Sequence, residues 1–208
     1  RQTDSLHVSA HRALKNMKKA AMQKTETIEY TSTAKWLHWG MALAWVISWG
    51  LGILATHWRD ELNPQHELTF LHKALASTLL FVLVVRVAWR LKNRPPPLPE
   101  SMSARMKRAA MIGHGLLYFV ALIALPLSGW YWSSVADKPI LVAGLLLLPP
   151  LVDADPDLYD LAKYIHTWTS WFCGALVGGH LLAALKHHLI DKDNILTSML
   201  PRIKRRAQ

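Results

Sequence analysis

The sequence predicts an all-α integral membrane protein built as a four-transmembrane-helix bundle. Three observations carry that class. First, Trp36–Trp58, Ala109–Ala136 and Tyr164–Leu185 contain no Asp, Glu, Lys or Arg. Each reaches the roughly 20 residues that cross about 30 Å of hydrocarbon. Second, Trp36, Trp39, Trp58, Trp89, Trp130, Trp132, Trp168 and Trp171 fall near the ends of expected spans, as an interfacial aromatic belt requires. Third, the 24 Lys and Arg of this +10 chain are concentrated in segments that an even number of spans places on one side.

Along the chain, residues 1–33 read as a basic N-terminal extension, disordered and carrying His7 and His11. It has no apolar h-region, so it is not a secretory signal, and Met22 is a plausible native start. The domain proper is expected over 34–201, and 202–208 form a basic tail. Helix one is expected over about 35–57. Helix two, about 67–91, is less clean, because its uncharged core runs only from Ala74 to Val85. Alone, that length would read as a buried soluble helix. Flanked by clear spans, with Lys73, Arg86 and Arg90 placed to snorkel, it reads as a transmembrane helix. The linker Arg94-Pro95-Pro96-Pro97-Leu98-Pro99 is a stiff polyproline-type connector. Helix three is expected over about 109–134 and helix four over about 161–190. Between them, Pro139–Val152 is apolar but short and broken by Pro149 and Pro150, so it reads as an interfacial or re-entrant piece.

Four spans leave 20 Lys/Arg and six acidic residues on the side of the termini, and four Lys/Arg with eight acidic residues on the other. The sides sum to +14 and −4, and the positive-inside rule places both termini in the cytoplasm. The charge therefore reports orientation, and no nucleic-acid partner is needed to explain it. One cysteine, Cys173, rules out an internal disulfide and reads as a small packing residue within helix four.

Histidines carry the chemistry. His38 lies near the basic end of helix one, His72 near the acidic end of helix two, and His166 and His180 both on helix four. An imidazole in hydrocarbon needs a partner, which makes each a functional-site candidate. His166 and His180 are 14 residues apart. At 100° and 1.5 Å per residue they share a face, about 21 Å apart along the axis. Depth then pairs His72 with His166 and His38 with His180. Each histidine alone reads more readily as a hydrogen-bonded core residue. As a matched set they suit two bis-histidine b haems inside a four-helix bundle. No C-x-x-C-H is present, which excludes covalent haem. Gly40, Gly174, Gly178 and Gly179 are candidates for close porphyrin approach, or simply for helix packing. Zinc at His187 and His188 with Asp191 and Asp193 is the competing metal site, although adjacent helical residues diverge by about 100°. His114 reads best as a core hydrogen-bonder, with a propionate contact or a quinone pocket as alternatives.

Taken in order, several segments resemble the bacterial cytochrome b(561) family, which are small di-haem, quinone-linked membrane cytochromes. They are Trp36-Leu37-His38-Trp39, the His72 segment, Val85-Arg86-Val87-Ala88-Trp89-Arg90-Leu91-Lys92, Gly113-His114-Gly115-Leu116-Leu117-Tyr118 with Ala124-Leu125-Pro126, then His166, His180, His187-His188, Lys192-Asp193-Asn194 and Met199-Leu200-Pro201. The resemblance implies haem-iron ligation by His38, His72, His166 and His180, location in the bacterial inner membrane, and electron exchange with ubiquinone. One branch is similar to superoxide:ubiquinone oxidoreductases. Other branches are cytochrome b subunits serving hydrogenases or other redox enzymes.

The expected function is therefore electron transfer across the bilayer, oxidising superoxide and reducing ubiquinone. A subunit serving a partner hydrogenase or dehydrogenase is the alternative, and a metal or proton transporter using intramembrane histidines the second. Arg86 and Arg90 are candidate propionate partners, with snorkelling as their plainer role. His187, His188 and Lys192 are candidates for a quinone pocket. On the acidic side, His57, Arg59 and Lys73 form the cationic group that would draw in superoxide.

Overall fold

The computed structural model describes residues 30–99 and 102–201. The first 29 residues, with His7, His11 and Met22, and the tail 202–208 lie outside the described residues. Among the described residues, four helices are long and apolar enough to cross a membrane: helix one Ser32–His57, helix two Glu67–Lys92, helix three Ala104–Val135 and helix four Pro156–Asp191. Helix one packs along helix two and helix three along helix four, while the backbones of the two pairs approach each other only slightly.

Helix one starts two residues before the expected domain boundary because Thr31 caps it. The Thr31 hydroxyl accepts from the Ala34 N–H at 3.2 Å and from Trp89 Nε1 at 3.0 Å. One side chain thus satisfies an orphan helix donor and ties helix one to the far end of helix two. Thr31→Ala is expected to cost about 1–2 kcal/mol, read as a lower midpoint for thermal loss of the visible spectrum.

At the opposite end, fully buried Asn63 closes the first hairpin. Its Nδ2 donates to Ala55 O at 3.3 Å and Thr69 Oγ1 at 2.8 Å, and its Oδ1 accepts from Leu68 N at 2.9 Å. In a water-poor setting an amide survives only with its partners supplied, and here three are.

Helix three begins at Ala104, its first turn capped by Ser103 and carrying Arg105, Lys107 and Arg108. It widens into a π-turn at Val120–Ala124. Pro126 follows directly. Proline removes an N–H and crowds the carbonyl four residues back, and the wider turn accommodates both effects. Helix four opens on a 3₁₀ turn at Pro156–Leu158, where Asp155 accepts from Asp157 N, and closes on a second π-turn at His187–Asp191.

The Pro139–Val152 segment is a β-hairpin rather than a span, the one strand element among the described residues. Strand β1 (Ile140–Val142) pairs antiparallel with β2 (Leu146–Leu148). The turn uses positive φ at Ala143 (52°) and Gly144 (74°), the backbone hand that matches a twisted hairpin. Its tip docks on the middle of helix two, where Ala143 N donates to Thr78 Oγ1 at 2.9 Å. Trp130 Nε1 donates to Pro149 O at 2.8 Å and holds the return arm. Leu145, Leu146 and Leu147 point outward, with Leu145 87% exposed.

Candidate haem and substrate sites

Two facing histidine pairs occupy two layers of the bundle. His38 of helix one faces His180 of helix four with ring centroids 6.2 Å apart, and His72 of helix two faces His166 of helix four at 6.3 Å. A metal held between two imidazoles at about 2.0–2.1 Å from each nitrogen, plus the inner radius of each ring, gives a centroid separation of roughly 6.3 Å. Both pairs are spaced so that one metal ion could be held between the two imidazoles.

Hydrogen bonds select the ring nitrogen that would ligate. His72 Nδ1 donates to the Ser48 carbonyl at 2.7 Å, with Ser48 Oγ at 3.3 Å. The Ser128 hydroxyl donates to Leu125 O at 2.8 Å, so at 3.1 Å its oxygen accepts from His166 Nδ1. Each Nδ1 therefore carries the proton, and each Nε2 keeps its lone pair for a metal. Backbone space completes the fit. A Cβ added at Gly52 would lie 3.1 Å from His72 Nδ1, and one at Gly129 only 2.8 Å from His166 Cε1. These two glycines seat the imidazoles flush against helices one and three.

The glycines chosen from sequence divide differently. A Cβ at Gly40, Gly178 or Gly179 meets nothing within 4 Å, leaving room beside the His38–His180 layer, whereas one at Gly174 would lie 3.2 Å from the Trp49 ring. Trp49 also meets Trp171 edge-on at 5.1 Å, so helices one and four touch through an aromatic contact between the two histidine layers. Ser48, Gly52, Ser128 and Gly129 were not legible in the sequence, since nothing local distinguishes them from ordinary packing residues.

Among the described residues, the buried indole N–H groups of Trp49 and Trp132 have no protein partner. Trp132 lies 5.7 Å from the His166 ring, and a carboxylate or other acceptor at this layer would complete its hydrogen bonding. The donor set, the spacing and the orphan indole together fit haem b at the His72–His166 layer. Ligand spacing and open glycines fit it at the His38–His180 layer.

His114 joins that second layer. Its Nδ1 donates to Ala110 O at 2.7 Å, and its ring lies 5.2 Å from that of His180, on the exposed side of the helix rather than in the core. Arg86 donates to Ala34 O at 3.4 Å, one turn from His38. Arg90 turns elsewhere, its guanidinium 5.8 Å from the Tyr118 ring centroid.

The remaining candidates are scattered. His187 Nδ1 is 2.7 Å from Asp193 Oδ2 and 3.1 Å from Asp191 Oδ2, and Lys186 Nζ also reaches Asp191. His187, Asp191 and Asp193 form a group with metal-ligand spacing, and His188 is not in it, as the divergence of adjacent helical residues requires. His188 and Lys192 are exposed. On the acidic side His57 and Arg59 are exposed and Lys73 is half-buried, and among the described residues no hydrogen bond joins the three. Lys138, just before the hairpin segment, is exposed and lies near Lys73.

Residues 29–202 match the sequence model of a family described as prokaryotic cytochrome b561. The chain is similar to "Cytochrome b561 homolog 2" of Escherichia coli K12, 38% identical over 169 residues that cover 78% of this chain and 86% of that protein. It is also similar to "Probable superoxide oxidase CybB" of Yersinia pestis, 28% identical over 166 residues covering 80% and 92% of the two chains. "Cytochrome b561 homolog 1" of E. coli K12 is 36% identical over 113 residues, 53% of this chain and 61% of that protein.

Proposed function

Because the chain belongs to the prokaryotic cytochrome b561 family, and is thus a multi-pass bacterial haem b protein of membrane electron transfer, we propose that it links superoxide oxidation on one face of the membrane to ubiquinone reduction on the other. The observation that carries this reading is the pair of ligand-spaced histidine layers, His72–His166 and His38–His180. Two haem b groups, one per layer, supply one-electron redox chemistry when bound.

The protein's own residues position and select. His72 and His166 would hold the acidic-side haem, with Ser48 and Ser128 fixing their tautomers and Trp132 offering a hydrogen bond. His38 and His180 would hold the other, with Arg86 the better placed of the two arginines for a propionate and Arg90 the lesser candidate. Both termini lie in the cytoplasm on this reading. Two superoxide ions each give up one electron and leave as dioxygen. One ubiquinone takes up two electrons and two protons. His57, Arg59 and Lys73 attract the anion on a face that sums to −4 with Arg59 and Lys73 counted in. At the basic side, His187 is held by Asp193 and Asp191 as a hydrogen-bonded proton donor, and His188 and Lys192 stand beside it for a quinone oxygen.

The relative named as a superoxide oxidase, at 28% identity, supports the choice of donor. Purified protein is expected to show two b haems per chain in a reduced-minus-oxidised spectrum and to form ubiquinol when supplied with superoxide. No haem absorbance would favour a transporter using intramembrane histidines. Haems indifferent to superoxide would favour a subunit serving a partner hydrogenase or dehydrogenase. Reversing the charge at Arg59 and Lys73 to Glu is expected to slow reduction by superoxide about tenfold at low salt, with the gap narrowing as ionic strength rises. A salt-independent rate equal to wild type would remove those residues from the substrate path.

A further inference from the structure

On the basic side, helices two and three part to leave a lateral cleft of about 580 Å³. Its lining carries Arg90 and Arg94. The rest of the lining is apolar, from Val87 and Leu91 of helix two and Phe119, Leu122 and Ile123 of helix three. The last two lie on the π-turn that Pro126 imposes, so the widened turn itself forms part of the wall.

Among the described residues neither Arg90 nor Arg94 has a carboxylate or hydrogen-bond partner, and Arg90 is only steadied over the Tyr118 ring. Two like charges four residues apart on one rim repel each other. A single anion with several acceptor oxygens would satisfy both, whereas a neutral headgroup would satisfy neither. The dimensions suit a lipid-sized occupant, since small-molecule sites run from about 300 to 1,000 Å³.

We propose that this cleft seats one anionic phospholipid from the leaflet on the basic side. Its phosphate lies between Arg90 and Arg94, and an acyl chain runs inward along Leu91, Phe119, Leu122 and Ile123. Basic pockets between transmembrane helices take such headgroups by the same chemistry.

The test is native mass spectrometry of the full chain released from nanodiscs holding equal amounts of phosphatidylglycerol and phosphatidylcholine. Wild type is expected to retain phosphatidylglycerol over phosphatidylcholine by at least about fivefold. The double variant Arg90→Ala/Arg94→Ala is expected to lose that preference, and Arg90→Lys/Arg94→Lys to keep part of it. Ile123→Trp fills the apolar part with both guanidiniums intact, and is expected to reduce retention as well. An unchanged helical circular-dichroism signal in each variant shows that the bundle is folded, and Arg94→Ala alone replaces the double variant if that signal is lost. Equal retention by wild type and the arginine variants would overturn the proposal. So would equal retention of the two lipids, or displacement of phosphatidylglycerol by added ubiquinone, which would make the cleft a quinone site.

Discussion

Replacing His166 by alanine is expected to halve the bound haem, from two b haems per chain to one, with the remaining haem spectroscopically like that of wild type. The His166 ring is the partner of His72 at 6.3 Å and the acceptor-bound neighbour of Ser128. Its loss would leave His72 without the facing imidazole, while the His38–His180 pair lies 14 residues along helix four, about 21 Å away. That distance makes the two layers independent in packing. The mirror variant His180→Ala is expected to remove the other haem and leave the His72–His166 layer intact. Redox titration distinguishes the two, because each variant should show one midpoint potential where wild type shows two. Either variant alone should also stop ubiquinol formation driven by superoxide, since one layer cannot span the bilayer. Two haems retained in His166→Ala would refute the pairing.

Gly129→Ala is expected to have nearly as large an effect through a single methyl group. The added Cβ would stand 2.8 Å from His166 Cε1 and 3.1 Å from Nδ1. Carbon atoms do not settle at that distance, so the ring or the helix must move. The ring cannot rotate freely, because Ser128 on the neighbouring position holds its Nδ1. Displacing an aligned ligand in this way commonly costs about 10–100-fold in metal affinity. The His72–His166 haem is therefore expected to be lost on purification or to be weakly held in the variant. Gly52→Ala approaches His72 no closer than 3.1 Å and should give a milder loss. Leu145→Ala, on the exposed hairpin away from both histidine layers, serves as the control with full haem content. Equal haem content in Gly129→Ala and Leu145→Ala would show that the glycine does not seat the ligand.

The residues behind these two predictions differ in how they can be found. His166 and His180 are legible because helical phase is local. Fourteen residues return to nearly the same face, and counting from the span ends gives the depth at which each meets a partner. Ser128 and Gly129 sit in an unremarkable stretch, Leu125-Pro126-Leu127-Ser128-Gly129. Their role depends on how helix three is rotated and tilted against helix four, and no single helix specifies that. The same holds for Ser48, whose carbonyl receives His72 across the first hairpin. His114 shows the limit from the other direction. Its position on helix three was plain, but its neighbour His180 emerged only with the packing.

The number of spans, the charge asymmetry between the two membrane faces and the depth-matched histidines can be read from the chain without its packing. Each follows from a property read along one strand of chain: uncharged length against hydrocarbon thickness, Lys/Arg count per loop, and the 100° helical step. Only the tertiary structure decided that Pro139–Val152 folds as a β-hairpin against Thr78, that Arg86 and Arg90 turn to different neighbours, and that His187 joins Asp191 and Asp193 without His188. It also decided which glycines touch the ligand rings. These outcomes depend on distances between elements far apart in sequence, set by rotation and tilt when whole helices pack. A change of one ångström there separates an imidazole in place from one that is not.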